Sequence, residues 1–466
     1  MGIKKYIALS PDYVIRELKS GNFVLIKWTN EEFFKLENLP KQILRLMNGS
    51  KSLSEILKIL KRQNININVA KKFCENLIKR RILVISKTPI INRIFRPLPR
   101  GITANLNFVQ WEISGQCNLK CKHCYNKNFI NKLELSTQKC KSIIDEFDQL
   151  NTIRVSISGG EPLLRADLFE ILKYLEKKRI YIAAIFSNGI LLNKDIVREI
   201  NHLKSNIHFI LSLDGIDEDS YDFIRGRGMF KRLTRKLPLI NNIEKRIGVN
   251  VMFHKKNLKQ IPKLFDFILQ NFSKVKMVRV GTFNRNEQGS YIDYKKEIGI
   301  SLKEELAAYN LIISEYLKKN MKTKFQLELS NFFRSNITNK KIFQYSLSSH
   351  PCAYTGGLTF TIKSNGILQW CPTLYQLTFG DLNKTTLKKA FQSKRYKTFT
   401  DLRIEKLIQC KDCKFMKICG GGCRAMVFPE ILKNDFIACQ TMRFFNIKTS
   451  PLFPPPLQKI FKNLIS

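Results

Sequence analysis

Residues 117–124 read Cys-Asn-Leu-Lys-Cys-Lys-His-Cys, and this stretch decides how the rest of the sequence is interpreted. Three thiolates on one short loop can each hold one iron of a 4Fe-4S cluster, and the fourth iron then has no protein ligand and can bind an outside group. A structural zinc ion takes four protein ligands, so a zinc site would need His123 or a distant residue as well. The spacing favours iron–sulfur, with zinc or unrelated buried thiols as alternatives.

The other cysteines extend this pattern. Of twelve in the chain, ten fall into two groups, at 117–124 and at 352–439, while Cys74 and Cys140 lie in helical patterns and are expected to be small core residues. No run approaches the ~18 apolar residues of a membrane span, and the first residues lack the apolar segment of a signal peptide. We therefore expect a cytoplasmic protein, with no membrane association, whose clustered thiols bind metal rather than form disulfides.

The length, composition and charge of the chain limit the classes of protein to which it can belong. A chain of 466 residues predicts about three domains, and 44% hydrophobic with 25% charged residues excludes a disordered or fibrous protein. The 80 Lys and Arg against 38 Asp and Glu give a net charge of +42, but the lysines are scattered and form no concentrated basic stripe. This distribution argues against a nucleic-acid partner and is compatible with an acidic one.

Strand-like and helix-like segments alternate between residues 104 and 283, which predicts a parallel α/β sheet or barrel. The predicted strands are 106–113, 153–158, 180–186, 207–213, 249–253 and 277–280, and the predicted helices are 138–150, 167–178, 195–202 and 258–271. Polar motifs follow each of the first four strands. Because active sites of this architecture collect at the carboxyl ends of the strands, we expect these motifs to meet there.

Residues 1–88 have the pattern of a small separate domain. Segments 13–16 and 23–27 predict a hairpin, followed by helices at 31–47, 52–60 (capped by Ser52) and 69–78 and a strand at 82–85. Prolines at 89, 97 and 99 indicate a linker. With 18 Lys and Arg against 7 Asp and Glu, or +11, and no cluster of metal-binding or catalytic residues, this domain suits binding rather than chemistry.

The combination of motifs resembles the radical S-adenosylmethionine (SAM) enzymes. The resemblance covers residues 104–283 and rests on the three cysteines followed by Tyr125, Gly-Gly-Glu-Pro at 159–162, Ser-Asn-Gly at 187–189 and Ser-Leu-Asp-Gly at 212–215. It implies a partial (β/α)6 barrel. It also implies that an electron from the reduced cluster, supplied by a donor such as flavodoxin or ferredoxin, cleaves SAM and releases a 5′-deoxyadenosyl radical that abstracts a substrate hydrogen atom.

The same resemblance implies roles for single residues. The methionine end of SAM would bind the open iron of the cluster on Cys117, Cys121 and Cys124. The residues that would contact SAM are His123 by the adenine, Gly159 and Gly160 through close backbone approach, Glu161 as acceptor from the amine, Ser187 and Asn188 at the ribose, and Asp214. A plain turn at 187–189 and a solvent-facing loop residue at 123 are the alternatives without cofactor.

The second cysteine group looks like the SPASM extension of a subset of these enzymes, which holds two auxiliary 4Fe-4S clusters. By resemblance, Cys410, Cys413, Cys419 and Cys439 would hold one cluster, and Cys352, Cys371 and Cys423 the other. The second set is one ligand short, so its fourth position would be open to substrate or filled by a residue other than cysteine. A zinc ribbon on Cys410, Cys413, Cys419 and Cys423 is the alternative.

The first 88 residues resemble the small winged-helix module, similar to the pyrroloquinoline-quinone carrier (PqqD-like), that binds leader peptides in ribosomal peptide maturation. Such modules add the peptide as a strand at a sheet edge, and a basic module would suit an acidic leader. A winged-helix DNA reader or a dimerisation module would share the pattern. The division that follows is 1–88 peptide recognition, 89–103 linker, 104–300 barrel, 301–345 helical connection, 346–445 auxiliary clusters and 446–466 a proline-containing tail.

The predicted function is radical modification of a ribosomally made peptide or protein that carries a leader segment, by a thioether or carbon–carbon crosslink or by oxidation. Enzymes of haem or other cofactor pathways share the Cys-Gly-Gly-Gly-Cys-Arg segment at 419–424 and are the alternative. Sulfatase-maturing relatives often have Asp where Pro372 stands, which weakens that assignment. A noncatalytic zinc regulator or iron–sulfur electron carrier is the alternative from another class.

Overall fold

The computed structural model describes residues 5–17, 23–30, 32–36, 38–89, 95–96, 108–126, 133–282, 297–329, 359–372 and 378–400. The predicted cluster ligands at 352, 410, 413, 419, 423 and 439 lie outside these ranges, as does the proline-containing tail. Within the described ranges, no helix has the length and apolar character needed to cross a bilayer.

The described part of the amino-terminal module contains two small sheets and three helices. Its elements are β1 (Tyr6–Leu9), β2 (Tyr13–Glu17), β3 (Phe23–Lys27), β4 (Glu32–Leu36), α1 (Asn38–Leu46), β5 (Asn48–Ser52), α2 (Leu53–Arg62), α3 (Ile67–Lys79), β6 (Leu83–Ser86) and β7 (Phe95–Arg96). The sheet orders are β5-β1-β6 and β4-β3-β2-β7. The predicted hairpin is confirmed, because β2 pairs antiparallel with β3.

The predicted helix at 31–47 is wrong over its first part and right over the second. Residues 32–36 form β4, whose Phe33 lies opposite Ile26 of β3, and the helix begins only at Asn38. Pro40 explains the late start, since proline is tolerated in the first helical turn but would remove a hydrogen bond from the middle of a longer helix. Ser52 caps α2 as predicted and forms a capping box with Glu55.

The amino-terminal module packs against the amino ends of the barrel strands. Val14 and Trp28 join an apolar cluster with Ile153, and the main-chain N–H of Asn206 donates to the carbonyl of Thr29 at 2.7 Å. Arg16 also forms a buried ion pair with Asp148 at 3.5 Å, measured from Nη2 to Oδ1. This surface lies at the opposite end of the sheet from the cysteine loop at 117–124.

Parallel strands in chain order form the central sheet. They are β8 (Phe108–Ser114), β9 (Arg154–Gly159), β10 (Tyr181–Ser187), β11 (His208–Ser212), β12 (Arg246–Met252), β13 (Val275–Gly281) and β14 (Gln326–Leu329), and each pairs in parallel with the next. The first six match the predicted strands to within a few residues. The strand β14 was not predicted; it lies within the segment 301–345, which was expected to be a helical connection, and it extends the sheet.

Helices cover the outer face of this sheet. They are α4 (Thr137–Gln149), α5 (Leu168–Lys177), α6 (Lys194–His202), α7 (Glu218–Arg225), α8 (Met229–Thr234), α9 (Leu237–Asn241), α10 (Ile261–Asn271) and α11 (Leu302–Lys318). The parallel order with helices between strands is that of an open α/β barrel, as the sequence predicts.

The carboxyl-terminal part of the chain joins the same sheet on its other side. Strand β15 (Thr359–Ile362) pairs in parallel with β8, and β16 (Ile367–Gln369) and β17 (Thr378–Asp381) continue antiparallel before α12 (Leu387–Gln392) and α13 (Lys394–Thr400). The described sheet therefore runs β14-β13-β12-β11-β10-β9-β8-β15-β16-β17. The cysteine-rich region is thus hydrogen-bonded to the first barrel strand, which local sequence patterns do not predict.

Side chains alternate between the two faces of each barrel strand. On β8, Val109, Trp111 and Ile113 belong to the main core beneath the helices, whereas Glu112 points to the opposite, inner face. Trp111 is fully buried and meets Phe147 of α4 edge to face at 5.6 Å between ring centroids. The outer face therefore supplies packing, and the inner face is left for polar groups.

Trp111→Ala should destabilise the barrel by about 3–5 kcal/mol, because it removes a large buried ring and leaves a cavity against α4. Leu133→Ala is the matched control: this side chain is 88% exposed, and we expect a change within about 0.5 kcal/mol. Urea unfolding followed by circular dichroism measures both. Equal unfolding midpoints for the two variants would contradict this packing.

Candidate functional site

The three cysteines of the loop after β8 lie together at the carboxyl edge of the sheet. Cys121 is buried, Cys117 and Cys124 are half-buried, and none of the described cysteines forms a disulfide. The sulfur of Cys121 accepts from Arg225 Nη1 at 3.6 Å, and the sulfur of Cys117 from the N–H of Leu119 at 3.5 Å. Donors of this kind stabilise metal-bound thiolates and influence the potential of a cluster.

Burial raises the pKa of the Cys117 thiol to about 11. The thiol would therefore stay protonated at neutral pH unless a bound metal replaced the proton. Among the described residues, no three His, Cys, Asp or Glu side chains converge as a site for a single metal ion. A 4Fe-4S cluster needs its three thiolates at three separate irons rather than at one metal ion.

The Gly-Gly-Glu-Pro segment binds the cysteine loop through its backbone. The N–H of Gly160 donates to the carbonyl of Ser114 at 2.8 Å, and the N–H of Glu161 to that of Gln116 at 2.7 Å. A Cβ on Gly159 would lie 2.4 Å from the Ser114 oxygen, and one on Gly160 would lie 2.1 Å from the Gln116 oxygen. The close approach that these glycines permit in this structure is therefore to the cysteine loop itself.

Glu161 joins the ends of two strands through its side chain. The carboxylate is 1% exposed and accepts from Ser187 Oγ at 2.8 Å, the N–H of Asn188 at 2.8 Å and the N–H of Leu163 at 3.1 Å. Burial raises the pKa of this carboxyl, and the three donors act in the opposite direction. The Ser187 hydroxyl donates to Glu161 and accepts from Gly189, so its contact with a ribose remains a prediction.

Asn118, which is not among the predicted site residues, connects the cysteine loop to the Ser-Asn-Gly segment. Its Oδ1 accepts from Asn188 Nδ2 at 2.8 Å. Its own Nδ2 is buried, and no described residue accepts from it. A buried donor beside three thiols fits a site built to receive a polar ligand. The only sequence signal for this residue was its place between two of the cysteines.

Asp214 and Arg225 form a fully buried charge pair behind the cysteine loop. Arg225 Nη2 lies 2.5 Å from Asp214 Oδ2, and the N–H of Met252 donates to Oδ1 at 2.9 Å. Burial opposes ionisation of Asp214, but the Arg225 guanidinium beside it holds the pKa of the carboxyl below its ordinary value. His123 Nε2 lies 3.7 Å from the same oxygen of Asp214. The pair holds Arg225 against the sulfur of Cys121, and contact of Asp214 with SAM remains a prediction.

The structure brings the predicted residues of the barrel to one edge, as the sequence predicts. His123, Gly159, Gly160, Glu161, Ser187, Asn188 and Asp214 surround the cysteine loop through the contacts given above. Cys371 is buried and follows β16, whereas the other cysteines of the second group lie outside the described residues. The residues present fit a 4Fe-4S cluster on the loop with a polar ligand beside it.

Family models match two parts of the chain. The Radical SAM superfamily model matches residues 111–268, and a model for an iron–sulfur cluster-binding domain, SPASM, matches residues 352–414. The first match spans the cysteine loop and the polar motifs after the first four barrel strands. The second includes Cys352, Cys371, Cys410 and Cys413.

Curated relatives of this chain include two kinds of enzyme. The AdoMet-dependent heme synthase of Methanosarcina barkeri is 26% identical over 340 residues, which covers 69% of this chain and 91% of the relative. The mycofactocin maturase MftC of Mycolicibacterium smegmatis is 31% identical over 153 residues, which covers 33% of this chain and only 38% of the relative. These relatives catalyse different reactions, and the matches do not decide which of the two this chain catalyses.

Among solved structures, SuiB of Streptococcus suis bound to the precursor peptide SuiA superposes with a TM-score of 0.64 at 20% identity, covering 90% of this chain and 96% of SuiB. SuiB bound to S-adenosylmethionine gives a TM-score of 0.63 at 21% identity over the same shares. At this identity the likeness concerns the fold, and it extends over most of the chain.

Gly160→Ala should displace the cysteine loop, because its Cβ would lie 2.1 Å from the Gln116 oxygen and 3.2 Å from Cys117 Cβ. We expect reconstituted protein to lose about four of roughly twelve irons per chain. Gly228→Ala is the control: its Cβ would meet no atom within 4 Å, so backbone strain at φ +75° should lower stability without removing iron. Full iron in Gly160→Ala would contradict the contact.

The matched models, the open α/β barrel and the converging motifs agree with one another. The chain contains a radical SAM domain, matched over residues 111–268, and a SPASM iron–sulfur domain, matched over residues 352–414; it is an enzyme whose cofactors are 4Fe-4S clusters and S-adenosylmethionine.

Proposed function

We propose that this enzyme uses SAM to modify a ribosomally made peptide that binds first to the amino-terminal module. The modification is a thioether or carbon–carbon crosslink, or an oxidation. The observation that carries the proposal is the exposed edge strand β4 on a basic module fixed to the barrel. The superposition with SuiB, a structure solved with its precursor peptide, supports it.

Cys117, Cys121 and Cys124 would hold the SAM-binding cluster, and Cys352, Cys371, Cys410, Cys413, Cys419, Cys423 and Cys439 the auxiliary clusters. When bound, the cluster and SAM together supply an organic radical that removes a hydrogen atom from the substrate. Asn118 would donate its unused N–H to SAM, and the Glu161 carboxylate, which has further lone pairs, would accept from the SAM amine. Arg225 would keep its charge beside the sulfur of Cys121.

The inner face of the barrel offers a wall for the reacting part of a substrate. Ala184, Ile210 and Met277 form a small apolar cluster there with Phe186, apart from the main core. The guanidinium of Arg279 lies 5.7 Å from the Phe186 ring centroid and forms a half-exposed ion pair with Glu328. This surface suits a peptide, in which an apolar side chain is flanked by polar backbone groups. The apolar wall would exclude water from the reacting part of the substrate.

Strand β4 is the proposed docking edge for a leader segment. It ends the described sheet β4-β3-β2-β7, so its outer backbone groups pair with no described strand. Phe33 and Phe34 are 43% and 40% exposed, and Lys35 beside them is also exposed. An added strand would satisfy the backbone groups, the two rings would receive apolar side chains, and the basic module would attract acidic ones.

A tetrapyrrole substrate is the second candidate, because the heme synthase match covers 91% of that relative. The same match leaves almost a third of this chain without a counterpart, whereas the SuiB superposition covers 90% of it. The part of this chain that the heme synthase match does not cover therefore favours a peptide as the substrate. Conversion of an iron porphyrin by the purified enzyme, with no change in any encoded peptide, would favour the second candidate instead.

Replacing Cys117, Cys121 and Cys124 together with Ala should abolish reductive cleavage of SAM and lower iron from roughly twelve to about eight per chain, because only the auxiliary clusters remain. Cys140→Ala is the control: Cys140 lies within α4 and packs in the main core, so this variant should keep full iron and cleavage. Anaerobic iron analysis and liquid chromatography of 5′-deoxyadenosine measure both. Cleavage by the triple variant would refute the proposed ligands.

Phe33→Ser combined with Phe34→Ser should weaken binding of the substrate peptide at least about tenfold, because two apolar anchors are lost from the docking edge. Leu269→Ser, at a comparably exposed apolar residue of α10, is the control. Fluorescence anisotropy measures the affinity for the peptide, and mass spectrometry measures the product. SAM cleavage in the absence of peptide is measured in parallel. An unchanged peptide affinity in the double variant would exclude β4 as the docking edge.

A further inference from the structure

A fully buried lysine joins the carboxyl-terminal domain to the wall of the SAM site. Lys363, directly after β15, is 1% exposed, and its Nζ lies 2.5 Å from Oε2 of Glu112, which is 2% exposed. The same Nζ donates to Oδ1 of Asn126 at 2.5 Å. The site described above uses none of these three residues.

Asn126 links the Lys363–Glu112 pair to the residues of the SAM site. It lies two residues after Cys124, and its Nδ2 donates to Glu112 Oε2 at 2.9 Å and to the carbonyl of Gly159 at 3.3 Å. Tyr125 adds a longer hydrogen bond to the other oxygen of Glu112, at 3.3 Å. One ammonium group thus fixes, through Glu112 and Asn126, both the end of the cysteine loop and the start of the Gly-Gly-Glu-Pro turn.

Stability alone does not account for this pair. Withdrawing two charges from water is costly, and a buried ion pair is often no more stabilising than apolar residues of similar size. What the charged pair provides is a set of directed hydrogen bonds, and those bonds run to the cysteine loop and to Gly159.

We propose that Lys363 is a positioning residue for SAM, which makes the SAM site depend on docking of the β15–β16 hairpin of the iron–sulfur domain. The hairpin is held by β15 pairing with β8, where Ile362 lies opposite Trp111, and it leads within eight residues of Lys363 to Cys371. Docking of the auxiliary domain and placement of the Cys124 segment therefore share one contact. The inference does not depend on the identity of the substrate.

Two variants test the proposal without leaving a charge buried alone. Glu112→Gln with Lys363→Met removes both charges, and Asn126→Leu keeps the ion pair but removes its link to the loop. Both should keep their melting temperature and iron content and bind SAM about tenfold more weakly, the usual scale for residues that orient a metal site. Lys173→Met, at the surface pair with Glu199, is the control and should change nothing.

SAM affinity is read from the change it causes in the electron paramagnetic resonance spectrum of the reduced protein, without any peptide. Full iron with SAM affinity within about twofold of the unaltered protein in both variants would overturn the proposal, since effects that small are no more than ~0.4 kcal/mol. A failed peptide assay would not affect this result.

Discussion

The buried carboxylate of Glu161 is the contact on which the arrangement of the site depends. Parallel strands bring four motifs to one edge of the sheet, but they do not fix the motifs relative to one another. Glu161 does so for the first three: its backbone N–H donates to the carbonyl of Gln116 beside the cysteine loop, and its side chain accepts from Ser187 and from the N–H of Asn188. A carboxylate that is buried away from water needs hydrogen-bond donors of this kind. Glu161 receives them only when this edge of the sheet has folded.

The surroundings of the cysteine loop follow from the same constraint. The loop can approach the turn at 159–162 only because two glycines stand there, and it is held from behind by Arg225, whose charge is balanced by Asp214. Lys363 and Glu112 form a second buried ion pair, next to the residues that follow the loop. Two buried ion pairs therefore contact this segment, one at the sulfur of Cys121 and the other at Asn126.

Much of this could be predicted from sequence, because it is local. Cysteine spacing, the alternation of strands and helices and the Ser52 cap are short-range patterns, and they located the barrel and its motifs. The error at β4 came from extending a helical pattern through Pro40. The contact of Lys363 with Asn126 spans 237 residues and has no local signature, and neither does the pairing of β15 with β8. The partner of the Ser187 hydroxyl could not be predicted from local sequence either, because that partner, Glu161, follows a different strand.

The central claim is that the loop at 117–124 leaves one iron of its cluster for SAM to bind. The most direct measurement is electron–nuclear double resonance on the reduced, anaerobic protein with SAM isotopically labelled in its carboxylate and amine. The account predicts hyperfine coupling from both labels, which is absent when Cys117, Cys121 and Cys124 are replaced by Ala. A cluster signal on this loop that SAM leaves unchanged, with no coupling to either label, would contradict it.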